Sequence, residues 1–294
     1  MAGHVSHHSS SHAPAQGPTE RLAIRCLLIG LALLFVGLFL LLPLASVFGE
    51  AFGRGLKPYL EALRDPRTLE SLRLTVLLAV IVVPLNIVFG VAAAWAITRF
   101  RFPGKPLLVT LIDLPFAISP VVVGVMLLVL FGAQGYFGPW LREHDFRIVF
   151  ALPGMVLATL FVTIPFVARE LIPLMQSRGP DLEEAALTLG ASGWQTFWHV
   201  TLPGVRWAVL YGVILANARA MGEFGAVYVV SKPVPGEIPL ALWVDTLNSE
   251  HQGTAAFAVA SLLAFLAIAT LVVKAWLESR QHREMARGQT SHSE

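Results

Sequence analysis

Asp181-Leu182-Glu183-Glu184-Ala185-Ala186-Leu187-Thr188-Leu189-Gly190 is a polar stretch between long apolar runs, and it continues through Ala191–His199 to Val200-Thr201-Leu202-Pro203. Leu182, Ala185, Ala186 and Leu189 fall at i, i+3, i+4 and i+7, one stripe of a short helix. Asp181 is placed to cap that helix, with Glu184 three residues on as a variant capping box. Gly190 stands where a left-handed residue would end it. Ser192 and Gln195 repeat the box ahead of a second short helix that carries Trp194, Phe197 and Trp198. Leu202-Pro203 is expected to stop that helix and open the next apolar run. An apolar stripe outside a bilayer needs cover. Either the segment folds back on this chain's own membrane helices, or it is a docking plug for a soluble partner.

The composition requires a membrane setting. Of 294 residues, 55% are hydrophobic and 14% are charged, and the mean hydropathy is +0.68; soluble domains carry about 25% charged residues. A net charge of +2 is too small to suggest nucleic acid. Cys26 is the sole cysteine, so no intrachain disulfide can form, and it reads as a small hydrophobe. No phosphate-binding G-x-x-x-x-G-K-[ST] loop occurs, and Gly104-Lys105-Pro106 is not one. If ATP drives this protein, another chain binds it.

Six apolar runs are long enough to span: Cys26–Phe48, Leu74–Ile97, Leu107–Phe131, Ile148–Ala168, Val205–Val230 and Ala255–Leu277. The first exceeds the core of a cleaved signal peptide and reads as an uncleaved span. Residues 1–25 read as a disordered tail, rich in His, Ser and Pro, with adventitious metal binding as the other reading. Residues 278–294 read as a second tail. Arg21, Arg25, Arg99, Arg101, Lys105, Arg280, Arg283 and Arg287 would share one side and favour cytoplasmic termini. Arg54, Lys57, Arg64, Arg67 and Arg73 in the first external loop argue the other way.

Two spans carry polar or breaking residues. Pro115 and Pro120 interrupt the third, as a packing kink or as a bend lining a path. Asp113, just before them, is expected near the cytoplasmic boundary, where a carboxylate stays wet; it would repel an anion and is not read as a ligand. In the fifth, Arg219 and Glu223 share a helix face, with Gly222 and Gly225 beside them. Charges at that depth must face the bundle or water. They are either a structural ion pair or a gate, and Arg219 is the only Arg or Lys well inside a predicted span.

Glu184-Ala185-Ala186, Gly190, Val200 and Leu202-Pro203 together resemble the cytoplasmic loop of bacterial ABC importer permeases. The resemblance implies that residues 178–204 are a coupling loop seated in a groove of an ATPase subunit, with Glu183, Glu184, Ala185, Ala186, Leu189, Gly190, Leu202 and Pro203 at the dock. That loop must then be cytoplasmic, and an even number of spans puts both termini there. Ala218–Gly225 is similar to a stretch shared by sulfate and molybdate permeases. Phe89–Lys105, Phe131–Gly135, Phe166–Met175 and Ala255–Ala264 resemble the CysW-type sulfate/thiosulfate permease family, over roughly residues 25 to 278. Ser231–Gly236 departs from that family's pattern at a loop expected to face the binding protein.

The resemblance implies an all-α bundle of about six transmembrane helices with the type I importer permease fold, occupying residues 26–277. It implies a second permease subunit (CysT-type), two ATP-binding subunits and a periplasmic sulfate-binding protein as partners, besides the bilayer. The expected work is inward transport of sulfate or thiosulfate across the inner membrane, with Arg219, Glu223, Gly222 and Gly225 as candidate gate residues. Molybdate or tungstate is the chemical alternative, since these are also tetrahedral dianions. No cofactor, catalytic set or metal site is expected, because His144, His199 and His251 lack ligand spacing. A secondary transporter would need coupling-ion ligands or an inverted repeat, and an intramembrane enzyme paired Asp or Ser/His sets; neither pattern is seen.

Overall fold

The computed structural model describes residues 22–232, 234 and 237–290. Residues 1–21 of the N-terminal tail, three residues of the 231–236 loop and residues 291–294 lie outside it. The described chain is helical in this order: α1 (Leu22–Val36), a π-helical turn (Gly37–Leu41), α2 (Leu42–Phe52), α3 (Leu56–Arg64), α4 (Pro66–Arg99), α5 (Lys105–Ala117), α6 (Pro120–Phe131), α7 (Gly138–Glu143), α8 (Leu152–Arg178), α9 (Asp181–Thr188), α10 (Gly193–Thr196), a second π-helical turn (Phe197–Thr201), α11 (Leu202–Met221), α12 (Gly225–Val230), α13 (Leu240–Ser249) and α14 (Gly253–Thr290). Among the described residues, five helical stretches are long and apolar enough to cross a membrane: Ile24–Phe52, Pro66–Arg99, Leu152–Arg178, Gly193–Met221 and Gly253–Leu277. The pair α5 and α6 makes a sixth if taken together.

The chain divides into two compact units at Ser46/Val47. The first is the apolar α1 with the start of α2, where Leu27, Leu31, Leu34, Phe35 and Phe39 are exposed. The second holds the bundle. Its centre is the contact of α4, α8 and α11, which small residues make possible. A Cβ on Gly90 would lie 2.6 Å from Val167 side-chain atoms, and one on Gly212 would lie 2.8 Å from the Val167 Cα. Ala94, Val167, Leu171, Met175, Val205, Ala208 and Ala216 form the apolar cluster there. Between helices, Asn86 Nδ2 donates to Thr163 Oγ1 at 2.7 Å, and Thr163 Oγ1 donates to the Thr159 carbonyl. At the far end α13 is tied to α4: the Leu240 N–H donates to Thr75 Oγ1 at 2.8 Å, and Trp243 Nε1 donates to Thr68 Oγ1 at 2.9 Å.

Several expected boundaries move. The third span is not one helix: α5 and α6 meet at 110°. The break falls at Ile118–Ser119, both extended, because Pro120 opens α6 and a residue before proline is pushed out of the helical region. Pro115 sits buried inside α5 without breaking it. The fourth span runs on from Ala168 to Arg178. The fifth stops at Met221, and α12 resumes only at Gly225.

Leu202-Pro203 does not stop the preceding helix. Pro203 has no N–H, and its ring would meet the His199 carbonyl in a regular α-helix. The π-helical turn comes just before it, with the Leu202 N–H bonded to the Phe197 carbonyl. That wider turn carries the chain past the proline, so Gly193–Met221 runs on as one helical span. At the C-terminus α14 continues to Thr290, where a tail was expected from residue 278.

Candidate functional site

The segment between α8 and α11 is a helix–turn–helix. Asp181 is the first residue of α9 and makes no cap bond; the Pro180 carbonyl instead accepts the N–H groups of Glu183 and Glu184, both at 2.9 Å. Asp181, Glu183 and Glu184 still place three acids in the first turn, complementing the helix dipole. Gly190 ends the helix at φ +91°. Its N–H reaches the Leu187 carbonyl and that of Ala191 reaches Ala186, the paired bonds of a Schellman motif. Ser192 and Gln195 form a capping box, with Gln195 Oε1 accepting the Ser192 N–H at 2.8 Å and Ser192 Oγ accepting the Gln195 N–H at 3.3 Å.

The apolar stripe is not folded back on the bundle. Leu182 is 72% exposed, Leu189 89% and Trp194 67%; Ala185 is exposed and Ala186 half-buried. Phe197 turns the other way and packs 5.0 Å from the Trp95 ring of α4.

Glu183, grouped by sequence with the docking residues, also faces the bundle. Arg99 Nε donates to its Oε2 at 2.6 Å, and Thr201 Oγ1 donates to its Oε1 at 2.8 Å. Arg99 Nη1 and Nη2 donate to the carbonyls of Met175 and Gly179, at 3.1 and 2.9 Å. One arginine at the end of α4 therefore holds the last turn of α8 and the first turn of α9. Local patterns could not have paired residues so far apart in the chain. Leu202 is half-buried and Pro203 exposed at the start of α11.

Arg219 and Glu223 come together where α11 breaks. Arg219 Nη2 lies 2.7 Å from Glu223 Oε2; the arginine side chain is 34% exposed and the glutamate 1%. Glu223 Oε1 accepts the Ala226 N–H at 3.0 Å, so the carboxylate also serves the start of α12. Gly222 caps α11. Gly225 lies against the other break: a Cβ there would stand 3.2 Å from Pro120 and Val121 side-chain atoms. The two interruptions in the bundle thus meet.

A further pair was not anticipated. Because α8 extends past Ala168, Arg169 lies inside a spanning helix, and its Nε donates to Asp113 Oδ1 at 2.7 Å. Arg219 is therefore not the only cation on a spanning helix, and Asp113 does not stand as an uncompensated charge. Among the described residues no three His, Cys, Asp or Glu side chains could hold a metal ion together.

A spanning bundle with a broken span, charge pairs inside and a capped helix–turn–helix displayed at one end defines a membrane permease. The chain belongs to the family described as binding-protein-dependent transport system inner membrane component, which matches residues 86–283. It is 53% identical over 258 residues to the sulfate transport system permease protein CysW of Synechococcus elongatus, covering 87% of this chain and 90% of that protein. It is 37% identical to the sulfate transport system permease protein CysT of Escherichia coli, covering 87% of this chain and 93% of that one. Among solved structures, a chain of a bacterial alginate ABC transporter in complex with its pentasaccharide-bound periplasmic protein superposes with a TM-score of 0.72 at 18% identity, covering 89% of this chain and 94% of that one. That last likeness concerns the fold.

Proposed function

We propose that this chain is one permease half of an ABC importer that moves sulfate inward, driven by ATP hydrolysed on a separate subunit. The observation that carries this reading is the 181–199 segment. It is fixed internally by its Schellman turn and capping box, tied to α4 and α8 through Arg99, and displays Leu182, Leu189 and Trp194 outward. A rigid plug with an uncovered apolar stripe suits a groove in an ATP-binding subunit. Residues 178–204 then form the coupling loop of a permease domain spanning 26–277, with both termini on the ATPase side. A second, CysT-type permease half, two ATP-binding subunits and a periplasmic sulfate-binding protein complete the assembly. Identity above one half with a CysW protein favours sulfate over molybdate. Arg219 and Glu223, paired across the break that Gly222 opens and Gly225 closes, are the gate.

The test is uptake of labelled sulfate and labelled molybdate in a strain lacking this gene, with and without a plasmid copy. Sulfate uptake should return and molybdate uptake should not change. Restoration of molybdate alone overturns the substrate. Purified alone in vesicles, the chain should neither hydrolyse ATP nor pass sulfate down a gradient; such a flux would favour a secondary transporter.

A further inference from the structure

Arg169 leaves part of its guanidinium open. Its Nε edge is held by Asp113, and its guanidinium carbon lies 4.6 Å over the Phe116 ring. Phe116 is itself braced edge-on against Phe166 at 5.5 Å. The two terminal nitrogens donate to no described residue. The arginine side chain is 55% exposed and that of Asp113 39%. Arg99, by contrast, has all three nitrogens bonded and is 13% exposed.

Charges this open within spanning helices cannot face hydrocarbon, where each costs several kcal/mol. Their surroundings are water or another protein chain, and both occur between two permease halves. Thr110 on α5 and Gln176 and Ser177 on α8 are exposed on the side nearer the coupling loop and extend the polar surface that way. Depth follows from helix geometry. Arg169 lies about 14 Å from the Arg178 end of α8, at about 1.5 Å per residue. Val167 touches Gly212, which sets the registry of α8 and α11. On that registry Arg219 is about 13 Å farther from the coupling loop than Arg169.

A planar fork with both terminal nitrogens open matches two oxygens of a tetrahedral oxyanion. We propose that Arg169 is a binding station for a tetrahedral dianion in the half of the path nearer the coupling loop, with Asp113 as the resident counter-ion that the anion competes against. The inference rests on the sulfate-permease reading and assigns that path a second contact, inward of Arg219. Asp113 has two effects. It aims the fork by holding the Nε edge, and it offsets the charge so that a bound dianion can leave, as conduction requires.

The test uses the complete complex with its binding protein in proteoliposomes. Arg169→Gln should lower labelled sulfate uptake about tenfold or more, the size expected when a charge-assisted hydrogen bond is lost, with the ATP-binding subunits still co-purifying. Arg169→Lys should recover part of that loss. Asp113→Asn should raise the labelled sulfate retained by the nucleotide-free complex, a gain that a purely structural ion pair would not give. Uptake by Arg169→Gln within about twofold of the parent complex overturns the station while leaving the sulfate reading intact. If Arg169→Gln fails to assemble, unchanged retention in Asp113→Asn overturns it instead. A parent complex that carries no sulfate removes the reading and the station together.

Discussion

Two arginine–glutamate pairs in this protein share nearly the same contact distance and differ in everything around it. At the loop end of the bundle, Arg99 meets Glu183 at 2.6 Å; at the break in α11, Arg219 meets Glu223 at 2.7 Å. The first pair is symmetric in burial, 13% exposed on both sides, and saturated by Thr201 and two carbonyls. It joins α4, α8 and α9, so it works as a strut. The second lies within one broken helix and is lopsided, with a carboxylate 1% exposed and an arginine 34% exposed. There the acid is fixed and the base has room to move. The same chemistry thus gives a rigid joint where every donor is engaged and a movable contact where one partner is half open.

The contrast is tested most strongly by removing the mobile partner. Arg219→Ala leaves the Glu223 carboxylate buried without its cation, and breaking a buried pair from one side costs about 3–5 kcal/mol. Sulfate uptake in proteoliposomes should be abolished and the thermal midpoint of the complex lowered. Adding Glu223→Ala should restore most of the midpoint, short of the Ala226 N–H that it leaves unpaired, but not uptake. A double variant that transports normally would make this pair purely structural.

The strut should respond differently. Arg99→Ala loses bonds to a charged group worth about 1.5–3 kcal/mol, read as a lower thermal midpoint and a loss of transport-stimulated ATP hydrolysis. Adding Glu183→Ala should recover little, because the carbonyls of Met175 and Gly179 stay unpaired. Full recovery in that double variant would erase the distinction between the two pairs.

Beyond the strut, the plug itself can be loosened. Gly190→Pro removes the N–H bonded to Leu187 and cannot adopt φ +91°. A local strain of about 1–3 kcal/mol falls on the turn alone. The protein should still insert, while stimulated hydrolysis drops. Glu184→Lys should have the smallest effect, since it only sets a positive charge against the α9 dipole, worth about 0.3–1 kcal/mol. Co-purification of the ATP-binding subunit and stimulated hydrolysis in both variants measure the order; normal values in both would remove the docking role of the segment.

The features that were legible in advance are local ones. Gly190 takes the left-handed conformation that its place after an apolar stripe predicts, and Ser192 with Gln195 forms the box that their spacing predicts. Arg219 and Glu223 meet because residues four apart on a helix share a face. The prolines were not legible in the same way. Pro115, Pro120 and Pro203 all stand in or beside apolar helical runs, yet one is absorbed, one turns the chain by 110° and one is carried past by a π-helical turn. Their outcomes depend on which neighbours satisfy the freed carbonyls, and composition does not record that.

The sequence by itself determined the membrane setting, about six spans, the helix–turn–helix between the fourth and fifth of them, and the i,i+4 pair at Arg219. These follow from hydropathy and from periodicities that act within a turn or two of chain. Only the tertiary structure decided that Glu183 turns inward to Arg99 while Leu182 and Leu189 stay exposed, and that Arg169 sits inside a span facing Asp113. Those contacts join residues 84 and 56 positions apart. They depend on the registry of α4, α5 and α8, which is set by glycine and alanine contacts such as Gly90 on Val167. A local pattern carries no information about that registry, because it exists only once the helices are packed.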